Sequence, residues 1–199
     1  MSIGKQSKVL SDKQEETMLA YLSSRRNGVR NRVIFQLSSK AGLRSKEIAF
    51  LQWKMIVNAD GVVGEAIHLT NVASKGHSGR VIPLNKALRE SLVDLLKHES
   101  DAPEFNMSTA YVVRSERSPR TSAQSVVNMF QRWYTDLKYV GCSSHSGRRT
   151  FITNVSRKIS LVGGSLRDVQ VMAGHRNLQT TQRYIDHDTD CQRKVVNLV

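Results

Sequence analysis

The chain has 199 residues, 39% of them hydrophobic, enough to bury the core of one ordinary domain or two small ones. Lys and Arg number 30 against 17 Asp and Glu, a formal charge of +13, which points to a polyanion as partner, with nucleic acid the first candidate. Its apolar runs fall far short of the roughly 20 residues a membrane span needs, no secretory leader is expected, and two cysteines make no disulfide framework, so a reducing cytoplasm is the expected setting.

Residues 1–10 are polar and basic and are expected to be flexible. Ser11 reads as an N-cap, with Asp12, Glu15 and Glu16 in the positive first turn and Met18, Tyr21, Leu22 and Arg25 following at helical spacing. Asn27-Gly28 ends that helix. A second helix is predicted over about Val29–Ala41, with Val33, Ile34, Leu37 and Ala41 on one face and Gly42 as its stop. A short third helix covers about Ser45–Gln52. Three β-like runs follow, Met55-Ile-Val, Ala66-Ile-His-Leu and Arg80-Val-Ile-Pro, parted by turns at Asp60-Gly61 and residues 75–79. They predict a small three-stranded antiparallel sheet. Leu88, Leu92, Leu95 and Leu96 restore the helical period after a cap at Asn85. Residues 100–120 read mostly as loop. Val126, Phe130, Trp133 and Leu137 mark a long helix, and three more segments cover about Ser144–Lys158, Ser165–Ala173 and Asn177–Asp186. The fold class is α+β, mostly helical, in one domain over residues 11–186, with a tail over 187–199.

Several chemistries lack their motif. There is no GxxxxGK[ST] loop, no CxxC, no HExxH and no GxSxG elbow. No cofactor and no metal is expected. A series of cations, histidines and one tyrosine remains: Arg44 at a helix junction, Lys75 at a hairpin tip, His145 and Arg148 as HxxR, His175 after Gly174, and Tyr184. Spacing of three sets His145 and Arg148 on one helix face. Taken singly, each has an ordinary reading: a surface charge, a solvated helix face, a polar turn or a half-buried core tyrosine.

Their order is more specific. Ala-Gly-Leu-Arg-Ser-Lys-Glu-Ile at 41–48 and Ala-Gly-His-Arg-Asn-Leu-Gln-Thr-Thr-Gln-Arg-Tyr-Ile at 173–185 make the chain resemble the tyrosine recombinase (phage integrase) family. The resemblance runs from about Ser11 to Tyr184, the extent of an integrase-like catalytic domain. It departs at Gly147, where an apolar residue is usual, at Arg149, where a second histidine is usual, and at Ala173, where leucine is common. About ten residues precede the first helix, so the N-terminal helical domain of longer members is expected to be missing.

The resemblance implies a site-specific recombinase that cuts and rejoins DNA through a 3′-phosphotyrosyl link and passes strands through a Holliday junction. Tyr184 would be the nucleophile. Arg44 and Arg148 would hold the nonbridging oxygens, a task that suits a planar fork that keeps its proton. His145 would accept the phenol's proton, Lys75 would protonate the leaving 5′-oxygen to give a hydroxyl, and His175 would hydrogen-bond the phosphate. Glu47 would orient its neighbours. A protein–DNA ester conserves the energy of the broken strand, so rejoining needs no nucleotide. The implied partners are double-stranded DNA and further copies of the chain: a homotetramer on paired sites, a monomer or weak oligomer without DNA. The tail would dock on a neighbouring protomer. Arg25, Arg26, Arg30, Arg32, Arg117, Arg120 and Arg157 are candidate backbone contacts. Two other readings stand beside this one: a type IB topoisomerase, which uses similar residues, and a non-catalytic DNA-binding protein on the same scaffold.

Overall fold

A computed structural model describes residues 6–74, 78–116, 118–184 and 196–197. Local signals set most helix boundaries. Ser11 caps α1 (Asp12–Ser23) by a reciprocal capping box with Gln14. Asn27, in the left-handed region at φ 60°, turns the chain into α2 (Gly28–Ser39), and α3 (Ser45–Phe50) follows. Asn85 caps α4 (Lys86–Ser100), Ser122 caps α5 (Ala123–Asp136), and His145 precedes α6 (Ser146–Lys158). Ser165 forms a second capping box, with Asp168, at the start of α7 (Leu166–Ala173). Gly174, at φ 61°, ends α7 in the left-handed conformation that costs glycine least. The last described helix, α8 (Leu178–Gln182), is only five residues long. It is shorter than the 177–186 expected, and Tyr184 follows it in a turn closed by its amide on the Thr181 carbonyl.

The sheet corrects the sequence reading. Among the described residues it has two strands, β1 (Ala66–Leu69) and β2 (Arg80–Pro83), paired antiparallel with Ile67 opposite Ile82 and Leu69 opposite Arg80. The expected first strand is absent. Trp53–Met55 instead forms a 3₁₀ turn, and Met55 and Ile56 are both buried in succession, which the period of two of a half-buried strand cannot do. Only an isolated bridge, Val57 to Val63, remains of that pairing. Asn58 satisfies the turn between them, its side-chain oxygen accepting from the Asp60 and Val62 amides.

Helix α2 is the axis of the domain. Val33 through Ser39 are all buried, rather than one face alone, because α1, α4 and α6 pack around it. The main core gathers Met18, Leu22, Ile34, Phe35, Leu43, Trp53, Phe130 and Tyr134, among others. A smaller cluster, Phe151, Ile152, Val169 and Ala173, joins α6 to α7, and Tyr184 packs on its rim. Residues 7–10 run along the domain. Lys8 N–H donates to the Gly141 carbonyl, Leu10 N–H donates to Thr150 Oγ1, and the Leu10 side chain is buried. Two approaches demand glycine. A Cβ on Gly42, which sits at φ +66°, would fall 2.4 Å from the Phe151 ring; one on Gly147 would fall 2.6 Å from Ser38 Oγ. The departure at Gly147 therefore has a physical reason: α6 crosses α2 too closely there for a side chain.

Candidate active site

The site assembles where three chain junctions meet: α2 to α3, the start of α6, and α7 to α8. Arg44 stands immediately before α3. Its amide donates to Glu47 Oε2 at 2.8 Å and its Nη1 to Glu47 Oε1 at 3.0 Å. Glu47 is fully buried and also receives both terminal nitrogens of Arg80, at 2.9 and 3.1 Å. Burial alone would raise the Glu47 pKa. The hydrogen bonds and charge of Arg80, then those of Arg44, outweigh it and hold the carboxyl below its ordinary value.

Arg148 is buried at the third position of α6. Its Nη1 donates to the Gly42 carbonyl at 2.5 Å and its Nη2 to the Ala173 carbonyl at 2.6 Å. Two of the five N–H donors of a guanidinium are thus spent on backbone carbonyls. Burial first, then the charges of Arg44 and Arg80, lower the Arg148 pKa, with Glu47 opposing. The site stores unbalanced positive charge, a condition that an anion would relieve.

His175 follows Gly174, and its Nδ1 shares a hydrogen bond with the buried Thr181 Oγ1 at 3.0 Å. Burial, then Arg148, Arg44 and Arg80, press its pKa down to about 4. At neutral pH the ring is therefore uncharged and can hydrogen-bond an oxygen without adding a further cation. Its ring stacks on Tyr184, with centroids 5.6 Å apart and planes 19° from parallel. His145 stands immediately before α6. Its amide donates to Ser143 Oγ, and Ser143 in turn shares a 2.6 Å hydrogen bond with Ser7.

One open cleft of about 510 Å³ is lined by Arg44, His145, Arg148, His175 and Tyr184, together with Arg149, Thr180, Arg183, Gln6 and Ser7. Five of the six residues singled out from the sequence line it. The sixth, Lys75, lies outside the described residues. The β1–β2 connection that contains it is tied at its base, where Gly79 N–H reaches Asn71 Oδ1 at 2.8 Å and Ser78 N–H reaches Ser74 Oγ at 3.2 Å.

Against this geometry, the family model described as "Phage integrase family" matches residues 8–190. The chain belongs to the phage integrase, or tyrosine recombinase, family. The tyrosine recombinase XerC of Shewanella amazonensis is 30% identical over 168 residues, which is 84% of this chain and 52% of that one. The crystal structure of XerA recombinase aligns with a TM-score of 0.74 at 21% identity, over 96% of this chain and 64% of that one. The XerH site-specific recombinase, solved on a palindromic difH substrate as a post-cleavage complex, aligns at 0.73 and 19%, over 98% of this chain and 54% of that one. The integrase-like fold is shared with both structures, and the chain spans about half the length of the curated relatives it matches.

Arg80 is a residue that sequence reasoning missed. In the sequence it marks only the start of a strand. Its place opposite Leu69, on the face shared with Ile67 and Ile82, carries it inward, where its Nε also donates to the Met172 carbonyl at 2.7 Å. An arginine at an inward-facing strand position was the available signal. Arg149 and Gln6 were also missed as cleft residues. Among the described residues no cluster could hold a metal ion and no helix is long and apolar enough to cross a membrane.

Proposed function

We propose that the chain is a site-specific DNA recombinase that cleaves and rejoins strands of double-stranded DNA through a 3′-phosphotyrosyl intermediate. The observation that carries this reading is the single cleft in which Arg44, His145, Arg148 and His175 surround Tyr184. A phosphodiester gains negative charge as it becomes five-coordinate. Here guanidinium groups would carry that charge, preorganised by their bonds to Glu47, Gly42 and Ala173. Arg44 and Arg148 take the nonbridging oxygens, and neutral His175 adds a hydrogen bond. In the tautomer in which Thr181 Oγ1 donates to Nδ1, the His175 proton sits on Nε2, available to a phosphate oxygen. His145 accepts the phenol's proton as Tyr184 attacks, and Lys75 gives one to the leaving 5′-oxygen, which departs as a hydroxyl. Removing one arginine clamp costs about 3–4 kcal/mol of barrier, by analogy with loss of an oxyanion-hole donor. The working assembly in this reading is a homotetramer on two DNA sites.

The experiment is a suicide DNA duplex resolved on a denaturing gel. The native chain is expected to form a covalent protein–DNA adduct. Tyr184→Phe is expected to form none while still binding duplex. An equal adduct in both removes Tyr184 as nucleophile, and relaxation of a plasmid with no recombination site would instead favour a topoisomerase.

A further inference from the structure

Helix α8 is too short to fix the ring of Tyr184 by itself, since an isolated turn or two of helix is marginal in water. Side-chain contacts must do so. His175 stacks on the ring. The ring also packs on the rim of the cluster of Phe151, Ile152, Val169 and Ala173, and Arg149 supplies a further contact: its guanidinium carbon lies 5.7 Å from the Tyr184 ring centroid, within the range where a cation is drawn to an aromatic face. Arg149 is itself held. Its Nη1 donates to the side-chain carbonyl of Gln6, a neutral partner that leaves the guanidinium charge uncancelled. Gln6 is delivered there by the segment behind it. Ser7 bonds Ser143, Lys8 bonds Gly141, and Leu10 bonds Thr150, the residue after Arg149. Gln6, Ser7, Arg149 and Tyr184 all line the same cleft.

We propose that Arg149 is a positioning residue that holds the Tyr184 ring against His175, with residues 6–10 acting as a strap that holds Arg149. The kinetic consequence rests on the reading of Tyr184 as nucleophile; the positional claim does not. Attack on phosphorus needs the phenol oxygen within a narrow range of distance and line, so freeing the ring slows the chemical step without weakening DNA binding.

The test has two arms on the full chain. In the first, the protein is labelled with 3-fluorotyrosine, and the Tyr184 fluorine resonance is assigned by its loss in Tyr184→Phe. Arg149→Ala is expected to move that resonance toward the position of free fluorotyrosine and leave the other tyrosines in place. Arg149→Lys keeps most of the native shift, and Gln6→Ala gives an intermediate one. An unmoved Tyr184 resonance in Arg149→Ala, or movement of every tyrosine together, overturns the proposal. In the second arm, a suicide duplex carrying a site that the native chain cleaves is mixed with excess protein. Arg149→Ala is expected to lower the saturated rate of adduct formation about tenfold, with recovery in Arg149→Lys. A loss confined to DNA affinity, with the saturated rate intact, overturns it. If the native chain forms no adduct on any duplex, the recombinase reading falls, and the fluorine arm still decides whether Arg149 holds Tyr184.

Discussion

Glu47 is the residue on which the site's electrostatics turn. Its carboxylate is the shared counter-charge of Arg44 and Arg80, and both Glu47 and Arg80 are almost wholly out of water. Such a pair adds little net stability, but breaking it leaves a buried cation alone. Glu47→Ala is expected to cost about 3–5 kcal/mol, read as a fall in the urea midpoint, and Glu47→Ala with Arg80→Met to cost less than the two single changes added together. His175 makes the fold sensitive to acid in a defined window. Its folded pKa lies near 4, below the 6.5 of the free side chain. The unfolded chain therefore takes up the proton first. The His175 contribution is complete above pH 6.5 and is lost progressively as pH falls toward 4. The melting temperature is expected to drop across that window, and His175→Gln to flatten the drop. Glu47, whose pKa is also lowered, adds its own loss below its ordinary value of 4.5.

At the scale of elements, the contact between α2 and α6 sets how near Arg148 comes to the α2–α3 junction. Gly147 allows that contact, with Ser38 occupying the space a side chain would need. Gly147→Ala is expected to destabilise the domain by about 1–3 kcal/mol in chemical denaturation, and Ser38→Gly in the same chain to recover part of it. The helices were legible in the sequence because their caps are local: Ser11, Asn85 and Ser165 bond amides two or three residues ahead. The cleft residues were legible only through their order along the chain, since no single one stands out. Arg80 was not, because its partners, Glu47 and Met172, are remote in sequence. The missing strand failed for a related reason. A run of three apolar residues fits a strand, but Trp53, Met55 and Ile56 all find the same core, and a 3₁₀ turn buries them together. Expectations for Arg117 and for most of the tail fall outside the described residues.

Across the whole molecule, the +13 excess is only partly committed to the fold. Arg26 pairs with Glu116, Arg32 with Asp94, Lys40 with Glu15, and Arg114 with Glu99 and Glu104. Arg25 lies over Tyr21 and Arg120 over Phe50, and Arg30 bonds Asn31 and the Arg114 carbonyl. Of the arginines nominated for backbone contacts, these already serve packing or pairing within the chain. If DNA is the partner, each phosphate neutralised contributes about −0.9 to the slope of log K against log salt, so a footprint of six phosphates gives a slope near −5. Fluorescence anisotropy with a random duplex between low and moderate salt measures it, and a slope near zero would count against a DNA-facing basic surface. The grip of Arg148 on the Gly42 and Ala173 carbonyls has one more consequence. That guanidinium staples two distant stretches of chain while facing the cleft, so replacing it loosens the architecture along with the chemistry. A variant that keeps the fold while removing the proposed nucleophile is better made by deleting the Tyr184 hydroxyl, which makes no hydrogen bond among the described residues, than by altering Arg148.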